Sequence, residues 1–164
     1  MTAPPRVVER AAQPYVAIAG VVTRDTFSQI ADRLPELIGW LAERGIAPAA
    51  APFLRYHVID MPHRLEIEAG VPVPSQVTGE GLIRYGVLPA GRYATVTHVG
   101  HPERLTDLTA ALLRWGAEQG WRWDMTETEA GERWGCRLEV YETDPRTHPD
   151  PATWQTTLAF RLAD

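Results

Sequence analysis

Apolar positions along this chain follow two periods, and the switches between them mark the elements. From Tyr15 to Thr23 the residues run as a nearly unbroken β-branched and small stretch after Pro14, the composition of a buried strand. The spacing then lengthens. Leu34, Leu37, Ile38 and Leu41 fall at i, i+3, i+4 and i+7, which is one stripe of an amphipathic helix. Asp25 offers a side-chain oxygen to a helical turn over residues 26–33, and Pro35 separates that turn from a main helix predicted over Leu34 to Arg44. Gly45 supplies its left-handed stop. Strands are predicted over Phe53 to Asp60 and Leu65 to Val73, so the first half reads β-α-β-β.

The order then returns. Gly81 to Leu88 and Arg92 to Gly100, joined by Pro89-Ala90-Gly91, read as a hairpin. A helix starts at His101-Pro102-Glu103 with Leu105, Leu108, Leu112 and Trp115 on its buried stripe, and Gly120 ends it. After a loop containing Trp121 and Trp123, strands are predicted over Gly135 to Glu142 and Trp154 to Leu162. The repetition is also literal. Leu37-Ile38-Gly39-Trp40-Leu41-Ala42-Glu43-Arg44-Gly45-Ile46 is echoed 75 residues later by Leu112-Leu113-Arg114-Trp115-Gly116-Ala117-Glu118-Gln119-Gly120-Trp121. The expected fold is α+β: duplicated β-α-β-β units, pseudo-repeats over about 15–74 and 81–162, forming antiparallel sheets of about eight strands. Two long helices would pack on one side, with a ligand groove at the seam. The whole of 1–164 is expected to be one domain, with residues 1–14 as an N-terminal tail.

Composition narrows the function. Sixteen basic against 21 acidic side chains give a net charge of -5 with no basic cluster, which argues against a direct nucleic-acid partner. The single cysteine, Cys136, permits no intrachain disulfide and suits a reducing compartment. The stretch before Pro14 has no apolar run of a signal peptide or membrane anchor, so a cytoplasmic protein that does not engage membranes is expected.

The candidate chemistry centres on Arg137-Leu138-Glu139-Val140-Tyr141. Strand alternation sends Leu138 and Val140 one way, expected to be under the helices, and Glu139 and Tyr141 to the opposite, groove side. In an aromatic cleft Glu139 would be desolvated or paired with a cation, and a cation about 4 Å away is attracted by roughly 4 kcal/mol at an effective dielectric near 20. The same residues admit a plain reading in which Glu139 is solvated or pairs with Arg137 or Arg161. Glu66 and Glu68 alternate similarly with Leu65 and Ile67 in the first half. Six Trp and five Tyr supply possible ring contacts, and Tyr56, Phe53, Tyr93, Trp121, Trp123, Trp134 and Trp154 are candidates, with core packing as the alternative for each. Trp40 and Trp115, at matching helix positions, suit the core. His57, His63, His98, His101 and His148 are too dispersed for a metal site, Ser28 and Ser75 have no nucleophile setting, and no cofactor is expected.

Together with the duplicated arrangement, the Trp-x-Ala-Glu-x-Gly helix ends and three further segments resemble the GyrI-like small-molecule-binding family, the effector-binding domain of AraC- and MerR-type multidrug regulators. Those segments are Leu65-Glu66-Ile67-Glu68-Ala69-Gly70-Val71-Pro72-Val73, Leu88-Pro89-Ala90-Gly91-Arg92-Tyr93-Ala94, and Leu138-Glu139-Val140-Tyr141 with Asp144-Pro145. The resemblance runs from about Tyr15 to Leu162. It implies a pocket between the halves for amphipathic, often cationic aromatic compounds, with Glu139 as its central acid. It also implies two alternatives for a stand-alone member: a hydrolase of strained electrophiles that uses Glu139, or a gyrase-inhibitor-like interaction protein. With about 14 residues before the first predicted strand, the chain is expected to lack the regulators' DNA-binding region and to be a monomer or weak homodimer.

Overall fold

The computed structural model describes residues 4–60 and 64–164. In chain order these form β1 (Arg6–Arg10), β2 (Gln13–Val22), α1 (Ser28–Ala31), α2 (Leu34–Glu43), β3 (Phe53–Asp60), β4 (Arg64–Pro72), β5 (Arg84–Leu88), β6 (Gly91–Val99), α3 (Leu105–Glu118), β7 (Met125–Thr128), β8 (Gly131–Trp134), β9 (Arg137–Tyr141) and β10 (Gln155–Arg161). The ten strands make one curled antiparallel sheet in the order β1-β6-β10-β9-β3-β4-β2-β5, with β8 pairing β3 and β7. The α+β architecture is therefore as expected, and the two halves meet at the central β3–β9 pair. Among the described residues no helix is long and apolar enough to cross a membrane, a statement that does not bear on β-barrels.

Four local expectations are corrected. The proposed tail contains β1, an edge strand pairing residues 6–10 with β6, because Val7 and Val8 have an apolar sheet to pack against. The Pro89-Ala90-Gly91 segment joins no hairpin: β5 pairs with β2, and β6 lies between β1 and β10. Each half thus lends its leading strand to the other. The turn read correctly as a break in the chain, but pairing partners are a long-range property that a local turn signal does not contain. The Trp-rich loop holds its own hairpin, β7–β8, which with β1 raises the strand number to ten. Finally, α1 is capped by no side chain. Asp25 makes no cap, and ahead of the helix the Thr26 hydroxyl accepts from the Thr23 amide at 2.8 Å.

The helix ends behave as the repeat suggested. Leu37 and Leu112, at equivalent positions, are both fully buried, and burial of a leucine contributes roughly 1.5–3 kcal/mol. Gly45 (φ 69°) and Gly120 (φ 82°) both take the left-handed conformation that a side chain would strain. The copies differ one turn earlier. Where α2 buries Leu41, α3 has Gly116, and a Cβ there would lie 2.3 Å from Trp123. The missing side chain lets Trp123 lie against the helix, edge-on to Phe160.

Candidate functional site

Helices α2 and α3 cover the same face of the sheet, and one row of residues across that face locates the candidate site. Register partners run Val96, Leu158, Glu139, Leu54, Ala69, Ile18 from β6 through β10, β9, β3 and β4 to β2. Five of the six are apolar and at most 3% exposed. The sixth is a glutamate. Glu139 thus points to the helix-covered side, and Leu138 and Val140 to the other, where they pack with Tyr15, Phe53, Tyr93 and Cys136. This reverses the expected assignment of faces. Alternation correctly separated the two sets, but a two-residue period cannot say which set the helices cover.

The helices leave a gap over Glu139. A cleft of about 340 Å³ opens there, walled by Arg24 and Phe27 ahead of α1, by Leu105, Thr106 and Thr109 of α3, and by Tyr56, Arg137, Leu158 and Phe160 of the sheet. At its floor Tyr141 donates to Glu139 Oε1 at 2.7 Å, and Tyr56 donates to Oε2 at 3.2 Å. Tyr141 shares the strand face with Glu139 by alternation. Tyr56 arrives from β3 just before a register shift between Tyr56 and Val58, an irregularity of the kind that re-aims side chains near functional sites.

Burial dominates the electrostatics. It pushes the Glu139 carboxyl above its ordinary range, against the pull of the two tyrosine hydrogen bonds and of Arg137. Burial, then the neighbouring carboxylate, raises both Tyr56 and Tyr141, so their hydroxyls are firm donors. Arg137 is itself held below its usual range by burial. Its guanidinium lies 4.5 Å from the Phe160 ring centre, 4.8 Å from that of Trp134 and 5.9 Å from that of Tyr56. Arg161, the other partner weighed for Glu139, instead pairs with Asp124 at 2.8 Å.

Of the residues singled out from sequence, Glu139, Tyr56 and Tyr141 come together. The others do not join them. Phe53 and Tyr93, each 1% exposed, belong to the core on the reverse face, where Tyr93 donates to the Pro89 carbonyl at 2.7 Å. They line a separate cavity of about 380 Å³ with Arg10 and Glu142 at its edge. Trp121 and Trp123 pack behind α3 with Trp134 and Phe160, and Trp154 donates to the His148 carbonyl in a surface loop. Ring count alone could not separate these fates. Phe27, Thr106, Thr109 and Arg137 were missed as wall residues; only Arg137, two positions before Glu139 on one strand, carried a usable signal. Among the described residues no group of three His, Cys, Asp or Glu could hold a metal ion, and His63 lies outside those residues.

A sequence profile described as the GyrI-like small molecule binding domain matches residues 3–163, and the chain belongs to that family. It is thus a small-molecule binding domain. Among solved structures it is similar to the EcmrR C-terminal domain, at 19% identity and a TM-score of 0.77, with 98% of each chain covered. The EcmrR chain in its DNA complex matches at 20% identity and a TM-score of 0.78, and this protein spans 57% of that chain's length. SAV2435 bound to tetraphenylphosphonium aligns at 9% identity and a TM-score of 0.60, over 98% of this chain and 94% of that one. A hydrolase from Listeria innocua aligns at 15% identity and a TM-score of 0.65, over 97% and 91%. No significant match was found among the curated proteins compared.

Proposed function

We propose that the Glu139 cleft binds amphipathic, drug-like aromatic compounds carrying a positive charge, with Glu139 as counter-charge and Tyr56, Phe27 and Phe160 contacting the ring system. The observation that carries this reading is the glutamate in an otherwise apolar row, at the floor of an open cleft. A desolvated carboxylate gains more from an incoming cation than a solvated one, because less water screens the pair. The family's description supports a small-molecule ligand, and SAV2435, which shares the fold, is bound to tetraphenylphosphonium, a lipophilic aromatic cation. Titration of the protein with rhodamine B ethyl ester, a cationic aromatic dye, tests it. Micromolar binding is expected, weakened roughly tenfold by Glu139→Gln, the magnitude of one charge-assisted contact. Because only the ionised carboxyl attracts the dye, affinity is also expected to fall as pH drops through the raised titration range of Glu139. Equal affinity in Glu139→Gln would remove Glu139 from the site.

The raised carboxyl between two hydroxyls also suits a second reading, hydrolysis of strained electrophilic compounds with Glu139 as general base on water or acid toward the leaving atom. The fold it shares with the Listeria innocua hydrolase is compatible with that chemistry. Product analysis with an epoxide-bearing aromatic compound separates the readings: turnover above the buffer blank that Glu139→Gln abolishes supports hydrolysis, and a blank-level rate leaves binding alone.

A further inference from the structure

We infer that Arg137 forms a second, acceptor-seeking subsite beside Glu139, so that the preferred ligand is dipolar: an aromatic body with a cationic centre for Glu139 and a carboxylate or similar acceptor for Arg137. This rests on the ligand-binding reading above and specifies its chemistry.

Other partly buried arginines of this protein find acceptors within the fold. Arg55 donates to the Gly135 carbonyl at 2.8 Å and to the Tyr15 hydroxyl at 3.0 Å. Arg161 donates to the Ala90 carbonyl from two nitrogens and pairs with Asp124. Arg137 has aromatic faces instead. Its guanidinium carbon lies over the rings of Phe160, Trp134 and Tyr56, and among the described residues none of its N–H groups meets a protein hydrogen-bond acceptor or a carboxylate within ion-pair distance. Stacking satisfies the faces of a guanidinium but leaves its in-plane donors unused. Those donors belong to a residue that lines the cleft.

Charge points the same way. Among the described residues that line the cleft, the charged ones are Glu139, Arg137 and Arg24, and Arg137 also feels the charge of Glu132 outside that lining. A simple lipophilic cation near Glu139 would also meet two positive charges. A ligand carrying its own acidic group turns that repulsion into a planar, charge-assisted contact, for which a pre-oriented guanidinium is well suited. Arg137 and Glu139 lie two residues apart on one strand face, so both groups fit within a single small molecule.

Rhodamine B, which carries a free carboxylate, and rhodamine B ethyl ester, which lacks it, share one ring system and test the inference by fluorescence anisotropy. The acid is expected to bind wild-type protein roughly tenfold more tightly than the ester. Arg137→Gln should bring the two within about twofold, while Arg137→Lys, which keeps the charge without the fork, should retain an intermediate preference. Loss of stability alone would weaken both dyes together and leave their ratio intact. Equal or tighter binding of the ester by wild-type protein, or a preference that survives Arg137→Gln, overturns the subsite while leaving Glu139-dependent binding of the ester in place. If neither dye binds, the cleft reading itself fails and the subsite with it. Should Arg137→Gln not fold, the wild-type ratio and Arg137→Lys still decide.

Discussion

Among the glutamates of the sheet, Glu68 and Glu139 lie on opposite faces, and each accepts hydrogen bonds from tyrosine. Glu68 on β4 accepts from Tyr15 at 2.6 Å and meets His57 Nε2 at 2.5 Å, with Arg55 joined through the same tyrosine hydroxyl. Burial pushes its carboxyl up, but the hydrogen bonds of His57 and Tyr15 and the nearby positive charges outweigh it and hold the group below its ordinary range. Glu139 has two tyrosines and no basic group within ion-pair distance among the described residues, and burial prevails. The two carboxylates differ in what compensates their lost hydration. Tyrosine hydroxyls orient a carboxylate, but an adjacent cation must compensate its lost hydration. Glu68 has that compensation within the fold, whereas Glu139 leaves the position open in a cleft.

The sharpest way to break this contrast is to neutralise each residue. Glu68→Gln removes an anion that anchors His57, Tyr15 and Arg55, and a loss of about 3 kcal/mol is expected in urea unfolding, the scale of a broken buried pair. Glu139→Gln removes a desolvated charge and should leave stability unchanged or higher. Comparable losses at both sites would mean that Glu139 is structural.

pH separates the two further, with opposite signs. The depressed titration of Glu68 contributes stability above the unfolded carboxyl range that is lost as pH falls through its folded value. The raised titration of Glu139 favours the folded state below that range, and the advantage is lost as pH rises through its folded value. Melting curves of wild type and Glu139→Gln should therefore coincide at about pH 4, in the ordinary carboxyl range, with the variant gaining on wild type as pH rises through the folded titration of Glu139. A difference that stays constant through that rise would contradict the desolvated state of Glu139.

The smallest effects concern the hydroxyls. Tyr141→Phe removes the 2.7 Å bond and Tyr56→Phe the 3.2 Å bond, so each should raise the Glu139 titration further, Tyr141→Phe more, with stability changes of about 1 kcal/mol or less. Titration of the Glu139 carboxyl by NMR orders the two. A larger effect from Tyr56 would show that the weaker-looking bond dominates.

Much of this arrangement was legible locally. Helix stripes, glycine stops and strand runs follow from steric preferences acting over a few residues, so Leu37, Leu112, Gly45 and Gly120 could be placed without knowing the fold. Glu139 and Tyr141 could be joined for the same reason: two residues apart on a strand fixes a shared face. Phe53 and Tyr93 could not be sorted from Tyr56 in this way, because aromatic side chains suit a core and a cleft equally well.

What the amino-acid order determined by itself was thus the set of elements and, within each, which residues share a face. Tertiary structure alone decided the exchange of β1 and β5 between the halves, the side of the sheet the helices cover, and the meeting of Tyr56 with Glu139 across 83 positions of chain. These are choices among pairings of similar local quality, and they are settled only when the whole apolar surface is buried at once. The physical reason is that backbone and strand periodicity act between neighbours, whereas burial and desolvation are properties of the assembled sheet and its helices.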